Sequence, residues 1–276
     1  GLDKSKFNVT VFVLRNNFLK NKLKDRVKFN CRRINLHDNR YFPNLSKTIY
    51  INSLRRYKFD ILLINGAQKN INFAIQSKKY VKKIFISIRN IRFVNEKSFK
   101  SDVNKVRVEK FRIICNSRPI KDQLINAASL KENLITVINN GIFCRKKIPK
   151  TKTKLKKIFR VMFVGNLRPV KNPNFFINVA KEICIEKKLK IEFLLVGDGP
   201  LMNSIKKFVS DNNLKENIRL LGKLPVNLIP YDEVNLVFNS SVSEGSSNSI
   251  LESLCHGLPV VASNNEGNSY ILKNKS

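Results

Sequence analysis

The chain is 276 residues long, 42 % of them apolar, and carries 53 Lys and Arg against 20 Asp and Glu, a formal charge of +33. That length admits one large domain or two of ordinary size, and apolar runs such as 11–14 and 161–164 are far too short to cross a bilayer. Five scattered cysteines with no CxxC pair argue against a disulfide framework or zinc site, and two histidines, His37 and His256, exclude a His-rich metal centre.

In chain order, strand-like runs fall at 9–14, 61–65, 84–88, 111–115, 135–138, 160–164, 191–196, 218–221, 234–238 and 259–262. Helical stretches fall between them at 46–57, 119–128, 174–188, 201–212 and 247–256. Several strands are unbroken Val, Ile, Leu and Phe, the pattern of strands buried on both faces of a parallel sheet. Alternating β and α then implies an α/β architecture whose ligands sit outside the carboxyl ends of strands. A boundary is expected at 144–157, where CRKKIPKTKTKLKK has eight basic residues, no acid and one proline. The resulting division is 1–144, a basic linker over 145–158, and 159–276.

The charge is uneven: residues 1–150 carry +26 and residues 151–276 carry +7. A basic field of this kind draws nucleic acid, anionic lipid headgroups or phosphorylated substrates. A lysine- and asparagine-rich composition is the bland alternative, although it does not account for the asymmetry. Within 18–33 Lys20, Lys22, Lys24, Arg26 and Lys28 stand among Leu19, Leu23, Val27 and Phe29. This suits either a membrane-surface patch or a solvated connection with its apolar residues turned inward. No zinc finger, RRM signature or helix-turn-helix supports nucleic acid as the partner.

Four features of the second half form a series. RVMFVGNLRPVKNPNFF ends a strand at Val164, turns at Gly165-Asn166, and brings Arg168 and Lys171 before a helix. Glycine there lets a ligand approach the backbone, and a lysine six positions on can reach its phosphates. FLLVGDGPLMNSI ends the next strand in Gly197-Asp198-Gly199-Pro200, and Leu220-Leu221-Gly222 closes a third. Last comes SVSEGSSNSILESLCHGLPVVAS, read as strand end, loop, helix, turn and strand. Glu244 falls on its loop, Asn248 is the expected N-cap and Glu252 lies about a turn into the helix. A loop exposing N–H groups at a helix start suits a diphosphate, and the two glutamates can accept hydrogen bonds from sugar or ribose hydroxyls.

In this order and spacing the four features resemble the C-terminal half of family-4 glycosyltransferases, retaining enzymes with the GT-B fold. The likeness is close over 159–272 and looser over IICNSRPIKDQLI and KENLITVINNGI in the first half. It implies two Rossmann-like parallel-sheet domains facing a cleft, the N-terminal one incomplete. It also implies transfer of a sugar from a nucleotide-diphosphate sugar to a glycan or lipid-linked acceptor, with retention, in cell-envelope polysaccharide or glycolipid assembly. By this resemblance Lys171 and Glu244 are the catalytic residues. Gly165, Asn166, Arg168, Lys171, Gly197, Gly245, Ser246, Ser247, Asn248 and Glu252 bind the donor, and no metal is required. Glu252 takes the ribose hydroxyls, Glu244 lies near the donor sugar, and Lys171 neutralises the departing diphosphate.

Three departures stand out. Asn166 occupies a position often held by Arg, Ser246-Ser247 replaces an aromatic-Gly pair, and Arg89-Asn90 lies where a histidine is often found. The expected setting is cytoplasmic, with a peripheral place on an anionic membrane face. Both ends read as short of the family's length, so a non-catalytic nucleotide-sugar-binding remnant is the main alternative, ahead of a basic nucleic-acid-binding protein.

Overall fold

A computed structural model describes residues 8–13, 32–35, 43–65, 67–90, 110–142 and 158–272. The basic stretch from 18 to 31 and the linker after 142 lie outside these residues.

Two short strands, β1 (Thr10–Val13) and β2 (Arg32–Asn35), pair in parallel as a sheet of their own. Nothing in the sequence marks β2, whose Arg-Arg-Ile-Asn has no apolar run; its strand character comes from pairing with β1. Next come α1 (Pro43–Tyr57), β3 (Ile61–Asn65), α2 (Ala67–Ser77) and β4 (Lys83–Ile88). After them stand β5 (Phe111–Cys115), α3 (Arg118–Ala128) and β6 (Ile135–Val137). The four strands form one parallel sheet in the order β3-β4-β5-β6. Leu54, Ala74, Ile84, Ile86, Ile120 and Leu124, each 1 % exposed or less, form its core. Helix α2 is likewise unmarked in the sequence, because AQKNINFAIQS places its apolar residues among Gln, Lys and Asn.

The second sheet holds β7 (Phe159–Val164), β8 (Ile191–Val196), β9 (Ile218–Gly222), β10 (Leu236–Asn239) and β11 (Val260–Ala262). Its helices are α4 (Pro173–Lys181), α5 (Met202–Asp211), α6 (Asn248–Cys255) and α7 (Glu266–Ile271). Alternate residues along β7 and β8 enter different cores: Val161, Phe163, Phe193 and Leu195 one, Met162, Leu194 and Val196 the other. Burial on both faces is why VMFV and FLLV are unbroken apolar runs. The helix expected over 174–188 is instead α4 followed by a π turn at Glu182–Glu186.

Strand order is β11-β10-β7-β8-β9, all parallel. The chain builds outward from β7 to β9, then returns to add β10 and β11 on the other side. This reversal places a crevice at the carboxyl ends of β7 and β10, the switch point where open α/β sheets bind ligands. Among the described residues no helix is long and apolar enough to cross a membrane.

Candidate functional site

Because β10 lies against β7, the loops leaving their carboxyl ends are neighbours, although they are some seventy residues apart in sequence. Hydrogen bonds stitch them together: the Val242 N–H donates to the Val170 carbonyl (2.9 Å), and Ser240 Oγ donates to the carbonyls of Lys171 (3.1 Å) and Asn172 (2.8 Å). Lys171 Nζ is thereby brought onto Glu244 Oε1, a contact that is both ion pair and hydrogen bond. Ser241 Oγ donates to the same carboxylate oxygen at 2.8 Å. The Glu244 side chain is only 10 % exposed and that of Lys171 28 %, so their charges are sheltered from water. Asn239, at the end of β10 and 4 % exposed, organises the loop beyond it. Its amide nitrogen reaches Ser247 Oγ (3.0 Å) and Ser249 Oγ (3.3 Å), and its oxygen accepts the Ser241 N–H (3.1 Å).

The N-cap of α6 is Ser247, not the expected Asn248. Ser247 keeps an extended backbone and turns its hydroxyl inward to Asn239, while Asn248 opens the helix. No side chain caps α6, so the backbone N–H groups at its start are open to an anion, whereas α4 begins on Pro173, which has no N–H, and its Phe175 N–H already donates to the Asn172 carbonyl (3.1 Å).

Beside this pair, a cavity of about 340 Å³ opens at the carboxyl ends of β7, β8 and β9. Gly165, Asn166, Arg168 and Gly197 line it together with Lys223 and Leu224. Gly197 has φ of +152°, and a Cβ there would lie 1.8 Å from the Gly165 carbonyl oxygen. Two loop backbones therefore meet closer than any other residue allows. The stem of Lys171 lies 4.0 Å from where a Gly165 Cβ would be, which sets the lysine beside this turn.

Glu252 is tied down separately. The Tyr231 hydroxyl donates to its Oε2 at 2.8 Å. Tyr231 is 2 % exposed, and burial followed by the Glu252 carboxylate pushes its pKa well above the ordinary tyrosine value. Its ring stacks on His256 with centroids 4.6 Å apart. The two glutamates thus have distinct partners, Lys171 for one and Tyr231 for the other.

The first sheet meets this loop from the opposite side. A Cβ on Gly245 would lie 2.4 Å from the Arg89 carbonyl oxygen, so only glycine fits where the loop crosses the end of β4. Asn140, just beyond β6, donates to Asn248 Oδ1 (2.7 Å) and to the Ser246 carbonyl (3.4 Å). Gln123 donates to Glu266 (2.8 Å) and Tyr270 to Asn139 (3.4 Å), joining the halves again. Ser241, Tyr231, Asn140 and Lys223 did not emerge from the sequence as site residues. Ser241 carried a faint signal, a serine three before a glutamate on a strand-to-loop step. Tyr231 carried none, since an aromatic residue before a strand is ordinarily core.

Among the described residues no three His, Cys, Asp or Glu side chains gather as metal ligands would. Cys115 and Cys184 are free thiols, whereas Cys255 is disulfide-bonded, although the scattered cysteines argue against a disulfide framework.

Residues 158–276 match the family model described as Glycosyl transferases group 1. They are a group 1 glycosyltransferase domain. Over 179 residues the chain is 36 % identical to the UDP-Gal:alpha-D-GlcNAc-diphosphoundecaprenol alpha-1,3-galactosyltransferase of Escherichia coli, covering 59 % of this chain and 45 % of that one. It is 26 % identical over 120 residues to the phosphatidylinositol N-acetylglucosaminyltransferase GPI3 subunit of Saccharomyces cerevisiae, covering 41 % and 26 %. The chain therefore spans less than half the length of these relatives. Anabaena Alr3699/HepE, solved with UDP, superposes with a TM-score of 0.75 at 18 % identity, over 96 % of this chain and 75 % of that one. TarM of S. aureus superposes at 0.68 and 20 % identity, over 83 % and 47 %. The glycosyltransferase domain and the first parallel sheet together have the GT-B fold of these neighbours.

Proposed function

We propose that the chain binds a nucleotide-diphosphate sugar at the carboxyl edge of the second sheet. The sugar is then transferred, with retention of configuration, to a glycan or lipid-linked acceptor held between two domains, 1–144 and 159–276. The observation that carries this reading is Lys171 held on Glu244 at the switch point, beside the uncapped start of α6. The diphosphate lies over the Gly165 and Gly197 turns, with its negative charge met by Lys171, Arg168 and the N-terminus of α6. Glu244 and Ser241 hold the lysine in place before the donor arrives. Glu252, oriented by Tyr231, accepts hydrogen bonds from the ribose hydroxyls, and Leu224 offers the base an apolar wall. The bond from the anomeric carbon to phosphate breaks while the acceptor oxygen bonds on the same face. The acceptor proton passes to the departing phosphate oxygen, so neither glutamate needs to act as acid or base. The +26 of residues 1–150 supports an acceptor presented at an anionic membrane surface. UDP bound to HepE and an undecaprenol-linked substrate named for the E. coli relative support both parts of the proposal.

Calorimetry with UDP, GDP and ADP, with and without EDTA, tests the proposal. One nucleotide is expected to bind irrespective of EDTA, and Glu252→Ala to weaken it by roughly 1–3 kcal/mol through loss of its paired hydroxyls. Absence of binding by all three, alongside salt-sensitive binding of DNA, would refute it.

A further inference from the structure

A second cavity, about 280 Å³, lies at the carboxyl edge of the first sheet. Arg89, Asn116, Asn139 and Asn140 line it, with Asn248 from across the interface. Among the described residues Arg89 is the one charged side chain in its lining, and none of them there is a carboxylate. One guanidinium nitrogen donates to Asn140 Oδ1 at 3.3 Å, and Asn116 Nδ2 reaches the same oxygen at 3.5 Å. Asn140 spends its own amide hydrogens on Asn248 and the Ser246 carbonyl, so its oxygen must face Arg89. That in turn orients Asn116, since exchanging its amide atoms would oppose two oxygens. Asn116 is 6 % exposed, and its Oδ1 has no hydrogen-bond partner. A buried acceptor of this kind calls for a donor, and in a polar cavity beside a sugar-binding loop the fitting donor is a hydroxyl.

We propose that this cavity holds a sugar unit bearing a carboxylate, which Arg89 selects while Asn116 Oδ1 accepts one of its hydroxyls. The inference rests on the donor reading above and narrows its substrate class. The guanidinium fork matches a carboxylate in two parallel hydrogen bonds. A phosphate monoester carries more charge and would call for a second cation, which the described residues of the lining do not supply. The volume falls below the roughly 300–1,000 Å³ of pockets for drug-sized ligands, consistent with a single sugar unit. The acid can belong to the donor, whose loop Asn140 and Asn248 touch, or to the acceptor, which approaches from the first sheet.

Two titrations separate these sources: UDP-glucuronate against UDP-glucose, and methyl glucuronoside against methyl glucoside with UDP present. A preference of about tenfold or more for the acid is expected in one of them. Arg89→Gln should abolish that preference without changing UDP affinity, and Arg89→Lys should keep part of it. Preference in the first titration assigns the acid to the donor; preference in the second assigns it to the acceptor. Equal affinities in both, or a preference that survives Arg89→Gln, overturns the proposal. If none of UDP, GDP and ADP binds, the donor reading falls alone, and titrating the two methyl glycosides without nucleotide still decides this cavity.

Discussion

The four-stranded and five-stranded sheets are both parallel and present their carboxyl ends to one another, yet the two edges are built from different chemistry. At the second, glycines let loop backbones meet, and each glutamate is held by a partner of its own, Lys171 or Tyr231. At the first, amides predominate: Asn116, Asn139 and Asn140 surround a single Arg89. The first half carries most of the excess charge, +26 against +7, but among the described residues its cavity exposes one cation. Net charge therefore describes the field around the molecule, whereas paired and sheltered charges mark where a particular ligand is gripped. The strand orders differ in the same sense. The described strands of the first sheet run consecutively, while the second reverses at β7 and β10 and so opens a crevice.

The largest test of this contrast compares one glycine from each edge. Gly197→Ala drives a Cβ into the Gly165 carbonyl, and is expected to destabilise the second sheet by about 3 kcal/mol in denaturant unfolding. Gly141→Ala, with nothing within 4 Å, should cost less than about 0.5 kcal/mol. Equal losses would mean that close backbone approach is no special property of the second edge.

Next in size is Lys171→Met, which leaves Glu244 without its cation and should weaken UDP binding by about 10–100-fold in calorimetry. Lys171→Arg should recover part of it. Because Arg89 belongs to the other edge, its loss should spare UDP. A Lys171→Met variant that binds UDP as tightly as the parent would remove the lysine from the donor site.

The smallest effect concerns acid stability. Burial works to raise the pKa of Glu192, but Arg160 and Arg219 outweigh it and hold the carboxyl below its usual value of 4.5. Its stabilising contribution is complete above that value and lost as pH falls through the lowered one. In the first half, Asp60 and Glu132 are also shifted down by Lys82 and Lys121, but their side chains are 73 % and 72 % exposed against 14 % for Glu192. Exposed pairs contribute little, so Glu192→Gln should flatten the acid limb of the second sheet's unfolding more than Asp60→Asn alters the first. The reverse ordering, read from midpoints between pH 3 and 6, would contradict the burial argument.

Much of the fold was legible in the sequence because strands buried on one or both faces write themselves as short apolar runs. All ten strands read this way are present. The missed elements lacked that signature: β2 is half arginine, α2 is largely polar, and α7 is a six-residue helix. The Asn248 cap was misplaced by one residue because Ser247 and Asn248 are both good caps, and the buried Asn239 amide decides between them.

By itself the sequence determined the α/β alternation, the glycine turns at Gly165 and Gly197, and the lysine and glutamates worth watching, since each is a local pattern of spacing and residue type. Which of these meet was decided only in three dimensions. Strand order set β10 beside β7 and brought Lys171 to Glu244; packing aimed the Tyr231 hydroxyl at Glu252; the facing of two sheets put Asn140 and Arg89 against the donor loop. Such pairings depend on sheet order and on contacts between distant loops, and neither is encoded in any short stretch of chain.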